Sequence, residues 1–121
     1  MLGNIFKMER EKPIQLDFVD NAKRLTIDWA RSLNIGLHNI ETVIPFILDD
    51  KELSVWLFFE TVELKKKYES DTTIDKVKEK YLTILQESKY PADYLEHVSF
   101  VVDTHENVLK NFEGSYFYRL R

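Results

Sequence analysis

The amino-acid sequence predicts an α+β fold, with a mostly antiparallel sheet of about four strands and two main helices packed on it. Two segments, from about 18 to 34 and from about 74 to 89, place apolar residues at the spacing of one helical face. Between them, Leu53 to Val62 forms an apolar run rich in β-branched and aromatic residues. Helical and extended patterns follow one another in the order α-β-β-α-β-α-β, which favours a single sheet with helices packed on it.

The first helix is predicted from apolar residues that recur at steps of three or four: Phe18, Ala22, Leu25, Trp29 and Leu33. Gly36 suits the left-handed position just past its end. The preceding residues, 1–16, show no clean periodicity, and Pro13 interrupts any regular element there. Their structure is therefore left open.

A β-hairpin is predicted next. Thr42 to Leu48 has strand composition, and Pro45 places that strand at a sheet edge or a bulge because proline lacks an N–H. A polar break at 49–52 leads into Leu53 to Val62, which is apolar on both faces. A strand covered on both faces is central in its sheet, so the two strands should pair as a hairpin.

The second half of the chain repeats the alternation. The helix at 74–89 should end before Pro91, which disfavours helical angles at the residue before it. One helical turn is predicted from Pro91 to Glu96 and a strand from Val98 to Val102. A short helix should then begin near Asp103 and close at Gly114. The last residues, 115–121, alternate as in a strand.

Composition narrows the class of protein. The chain has 121 residues and a net charge of −4, and its length predicts one domain spanning 1–121. It has no cysteine, which excludes disulfides and cysteine metal sites. The acidic balance gives no electrostatic case for nucleic acid. No apolar stretch is long enough to span a membrane, and the charged first residues lack the apolar run of a signal peptide. A cytoplasmic location is expected.

Asp103 and His105 are the most suggestive local pair, because they lie where a predicted strand ends and a helix begins. They could share a ligand or a proton; alternatively, Asp103 caps the helix and His105 is solvated. Glu60, at the end of the apolar run, would be a general acid if buried; alternatively, it is solvated. The three histidines lie in separate segments without a metal-binding spacing, so no metal or other cofactor is predicted.

The C-terminal segment is the favoured binding region: Tyr116, Phe117, Tyr118, Arg119 and Arg121. Aromatic residues and arginine are enriched in binding surfaces, and a terminal edge strand is open to pairing with another chain. The alternative is an ordinary last strand buried in its own sheet.

Three functions remain open. The first is a non-enzymatic protein-interaction domain, either a homodimer or the binder of another protein. By analogy of class alone, small accessory and immunity-type proteins share its size, acidity and lack of motifs. The second is a small-ligand-binding domain with an aromatic pocket. The third, and least supported, is an enzyme that uses Asp103 and His105, with Glu60 or Glu106.

Overall fold

The computed structural model describes residues 13–45 and 51–121. Within these ranges the chain forms three strands and six helices. In chain order the elements are α1 Leu16–Ser32, β1 Leu37–Val43, β2 Leu53–Phe59, α2 Val62–Ser70, α3 Thr73–Glu87, α4 Ala92–Leu95, β3 Val98–Thr104, α5 His105–Asn111 and α6 Tyr116–Leu120. The α+β class is confirmed.

The sheet is mixed and, in the described part of the chain, has three strands in the order β1-β2-β3. The predicted hairpin is present, because β1 pairs with β2 antiparallel. However, β3 pairs with β2 in parallel, so the prediction of a mostly antiparallel sheet of about four strands is wrong. The reason is the connection: residues 60–97 carry α2, α3 and α4 back across the sheet, and such a helical crossover joins parallel strands.

The hydrophobic core lies on one face of the sheet. Alternate residues of the central strand β2 are fully buried there: Leu53, Val55, Leu57 and Phe59. The apolar faces of α1 and α3 cover them, with Ala22 and Ala30 from α1 and Val77, Tyr81 and Leu85 from α3. Because successive strand residues alternate, Trp56 and Phe58 of β2 lie on the opposite, second face of the sheet.

Several predicted boundaries shift. The two main helices are confirmed within two residues at each end, as α1 and α3. The run predicted as a strand to Val62 ends at Phe59, because the Thr61 side chain accepts a hydrogen bond from Leu64 N at 3.1 Å and starts α2. The strand predicted at 42–48 is found earlier in the chain, at Leu37–Val43. Residues 46–48 of the predicted strand lie outside the described ranges.

The C-terminal strand prediction is wrong, since residues Tyr116–Leu120 form the helix α6. Glu113 and Gly114 both adopt positive φ, at 55° and 76°, which turns the chain away from an extended path. Ser115 then caps the new helix by accepting a hydrogen bond from Tyr118 N at 3.2 Å. The C-terminal aromatic residues alternate in sequence as in a strand, but they form a helix because the preceding turn redirects the chain and Ser115 caps the first helical turn.

Candidate functional site

Helix α6 covers one end of the second face of the sheet. The strand register places two rows of residues there: Glu41, Trp56 and Val101 in one, and Asn39, Phe58 and Asp103 in the other. The Tyr116 ring meets the edge of Phe58, with ring centroids 4.7 Å apart. The guanidinium of Arg119 lies 4.7 Å from the centre of the Trp56 ring. These contacts attach a short helix of which no residue is fully buried.

Asp103 is the buried polar centre of this attachment. Its carboxylate accepts a hydrogen bond from Arg119 Nε at 2.5 Å and from Asn107 Nδ2 at 3.1 Å on each oxygen. It also accepts one from Thr104 N at 2.8 Å. The helix cap predicted for Asp103 belongs instead to Thr104, whose hydroxyl accepts from Asn107 N at 3.0 Å. The Asp103 carboxylate is therefore committed to holding α5 and α6 together.

His105 does not pair with Asp103 but stacks on His38, with ring centroids 3.8 Å apart and planes 16° from parallel. Burial lowers the pKa of His38, the adjacent His105 lowers it further, and the Glu60 carboxylate partly opposes both. His38 stands at the irregularity in the β1 register between Leu37 and Asn39, which turns its ring towards His105 at the start of α5.

Tyr116 connects the histidine pair to α6. Its hydroxyl lies 2.7 Å from His105 Nδ1. Burial raises the pKa of Tyr116 to about 12, and the carboxylates of Glu41 and Asp103 act in the same direction. The hydroxyl is therefore protonated at neutral pH and can donate to the imidazole. A continuous chain of contacts runs from His38 through His105 to α6.

The remaining predicted binding residues face outward. Phe117 is 70% exposed and Tyr118 49% exposed. The guanidinium of Arg121 lies over the Phe117 ring, 5.5 Å from its centre. The structure thus divides the predicted set: Tyr116 and Arg119 join Asp103 and His105 at the sheet, while the other three lie on the outer side of α6.

The two glutamates of the enzyme hypothesis meet through the backbone, because Glu106 N donates to Glu60 O at 3.2 Å. The Glu106 carboxylate accepts from Lys110 Nζ at 2.9 Å and from Val62 N at 3.2 Å. Both hydrogen bonds lower the pKa of Glu106, and the one from Lys110 has the larger effect. Glu106 is thereby tied to the start of α2. The Glu60 side chain is exposed and lines a separate cavity, at the end of β2.

Sequence reasoning missed three contributors to this cluster: His38, Trp56 and Phe58. The alternation within β2 contained the signal for Trp56 and Phe58, since both fall on the face opposite the main core. Nothing local marks His38, because its partner His105 is far along the chain and the contact depends on the shifted register of β1.

Several cavities lined by described residues lie away from α6. One, of about 290 Å³, is bordered by Tyr68, Ile74 and Val102 together with charged side chains. It contains a single aromatic ring, so it gives no support to the predicted aromatic pocket. Another, of about 360 Å³, is bordered by Arg31, His38 and Glu60 among others. A further one, of about 270 Å³, is bordered by Trp29 and Thr83 together with charged side chains.

Within residues 13–45 and 51–121, no three histidine, aspartate or glutamate side chains converge as a metal site. Over the same ranges, no helix combines the length and apolar character that crossing a bilayer requires. Comparison with known proteins adds no family: no family model matches the chain, and no match emerges among curated proteins or solved structures.

Proposed function

We propose that this chain is a protein-interaction domain and that it binds a different protein through the outer side of α6. The observation that carries the proposal is the exposure of two adjacent rings, Phe117 at 70% and Tyr118 at 49%, on a helix whose other side is anchored. We call Phe117, Tyr118 and Arg121 the α6 surface.

Anchoring gives the α6 surface a defined orientation. Tyr116 and Arg119 are three residues apart and so lie on the same side of the helix, where they contact Phe58, Trp56 and Asp103. A surface that is already ordered loses less conformational entropy on binding than a mobile tail. Exposed aromatic residues held in this way are typical of interface anchors.

Charge favours a different protein over a second copy. Arg121 forms no ion pair with any residue that the structure describes, and it lies over Phe117. A symmetric dimer through the α6 surface would place two such cations near its axis, because both copies present the same patch. A partner with an apolar cleft bordered by carboxylates would bind the rings and the arginine together.

The test uses a photo-crosslinking amino acid at position 117 in the source cell, with the same group at position 33 as control. Leu33 is 56% exposed but lies after α1, away from α6 in the chain. We expect an adduct with another protein at 117 and not at 33. The captured protein is then purified, and its affinity is measured for the unmodified chain, for Phe117→Ser and for Leu33→Ser.

Phe117→Ser should weaken that affinity about fivefold or more, because truncating an anchor residue costs over about 1 kcal/mol. Leu33→Ser should leave it unchanged. The proposal fails if both variants bind like the unmodified chain, if positions 117 and 33 give the same adducts, or if the only adduct is a second copy of this chain.

A further inference from the structure

The cavity of about 360 Å³ lies at the end of the sheet where β2 finishes, and none of its lining residues belongs to α5 or α6. The parallel strands β2 and β3 both end on this side, at Phe59 and Thr104. The carboxyl ends of parallel strands are where open sheets flanked by helices hold ligands, since the loops diverge there. The cavity therefore lies at the end of the sheet where ligands bind in such folds.

Opposite charges border this cavity without pairing. Arg31, in the last turn of α1, and Glu60, directly after β2, both line it. Neither side chain forms an ion pair with a residue in the described part of the chain. His38 contributes a third polar wall, and its ring is oriented by the stack on His105. The cavity therefore offers one cation, one anion and one imidazole to a guest molecule.

The Glu60 wall is held in place by the backbone. Glu60 N donates to Gly36 O at 2.9 Å, and Gly36 N donates to the Tyr68 hydroxyl at 2.8 Å. A Cβ atom at position 36 would lie 2.7 Å from Leu64 Cδ1 and 3.4 Å from Glu60 Oε2. Glycine at this position makes room for the Leu64 side chain and leaves the Glu60 carboxylate in contact distance of the backbone. The backbone of this wall is therefore ordered before any ligand arrives, which lowers the entropic cost of binding.

We infer that this cavity binds a small molecule carrying both a carboxylate and an ammonium group, of the free amino-acid type. The guanidinium of Arg31 donates to the ligand carboxylate, as its planar N–H groups match that geometry. The Glu60 carboxylate accepts from the ligand ammonium, and His38 contacts the ligand from the third side. The volume is near the lower limit of about 300–1,000 Å³ for ligand pockets, which suits a metabolite.

The site is tested by NMR on the isotope-labelled full chain, titrated with each free amino acid in turn. Two analogues of any amino acid that binds are then compared: the N-acetyl form, which lacks the ammonium group, and the amide, which lacks the carboxylate. We expect shifts of the Gly36 amide and the His38 ring signals with the free amino acid, and weaker binding of both analogues.

Charge-removing variants assign the two ends of the ligand. Glu60→Gln should weaken binding of the free amino acid about tenfold or more, because a charge-assisted hydrogen bond contributes about 1.5–3 kcal/mol, yet leave the N-acetyl form unaffected. Arg31→Gln should weaken binding of the free amino acid similarly and leave the amide unaffected. The matched controls are Glu63→Gln and Arg24→Gln, at two positions outside the cavity. All four substituted positions are exposed, so the variants should retain the fold, which their NMR spectra will check.

The inference is overturned if no free amino acid shifts the Gly36 signal, or if both cavity variants bind it as tightly as their controls. It is independent of the α6 surface, because Phe117→Ser should leave amino-acid binding intact. Failure of one proposal therefore does not decide the other.

Discussion

Arg119→Ala should destabilise the folded chain by about 2 kcal/mol, because Arg119 connects α6 to the sheet. Its Nε donates to Asp103 Oδ2, and its guanidinium covers the Trp56 ring. A hydrogen bond between charged groups contributes about 1.5–3 kcal/mol, and a cation–π contact at a partly exposed site about 0.5–1 kcal/mol. The Arg119 and Asp103 side chains are 25% and 11% exposed, which places the pair between a surface and a buried ion pair and favours the lower values.

The assay is urea unfolding followed by tryptophan fluorescence, which reports on Trp56 beneath Arg119 and on Trp29 in α1. Arg121→Ala is the matched control, since Arg121 also contacts an aromatic ring but forms no ion pair with a described residue. It should change the free energy of unfolding by less than about 0.5 kcal/mol. A double-mutant cycle of Arg119→Ala with Asp103→Asn should give a coupling energy of about 1–2 kcal/mol.

Two results would refute this reasoning. The first is a loss for Arg119→Ala that equals the loss for Arg121→Ala. The second is a coupling energy with Asp103→Asn below about 0.5 kcal/mol, the range of independent sites. Either would show that the aromatic contacts of Tyr116, and not the ion pair, attach α6 to the sheet.

Three further measurements follow from single side chains. The lowered pKa of His38 means that the unfolded chain binds the His38 proton at a higher pH than the folded chain does. The free energy of unfolding should therefore fall as the pH drops through the ordinary histidine pKa of 6.5. His38→Gln should make the urea midpoint depend less on pH over that range, and an unchanged slope would contradict this. Tyr81→Phe should leave the melting temperature equal or higher, because the buried Tyr81 hydroxyl has no hydrogen-bond partner among the described residues. Tyr68→Phe should instead lower the stability by about 1–2 kcal/mol, because it leaves Gly36 N without its acceptor. Equal effects of the two variants in a thermal melt would contradict these two hydrogen-bonding roles. Thr104→Ala should lower the free energy of unfolding in urea by about 1 kcal/mol, because it removes the N-cap of α5. Thr104→Ser keeps the hydroxyl and should retain most of that stability. A serine variant as unstable as the alanine variant would exclude the cap as the cause.

The sequence by itself determined the elements whose burial is periodic along the chain. Apolar residues at helical spacing predicted α1 and α3, and the apolar run from Leu53 predicted a central strand, because one-sided and two-sided burial leave distinct local patterns. Residue type and position, rather than periodicity, identified the C-terminal aromatic residues and Asp103 as candidate site residues.

Only the tertiary structure decided how these segments meet. The direction of β3 depends on the path of three intervening helices, and α6 replaces a predicted strand because a turn at Glu113 and Gly114 ends the alternation. Asp103 meets Arg119 and His38 meets His105 across long separations in sequence. Local periodicity records which side of an element is buried, but the partner against which it is buried is set by packing between distant segments.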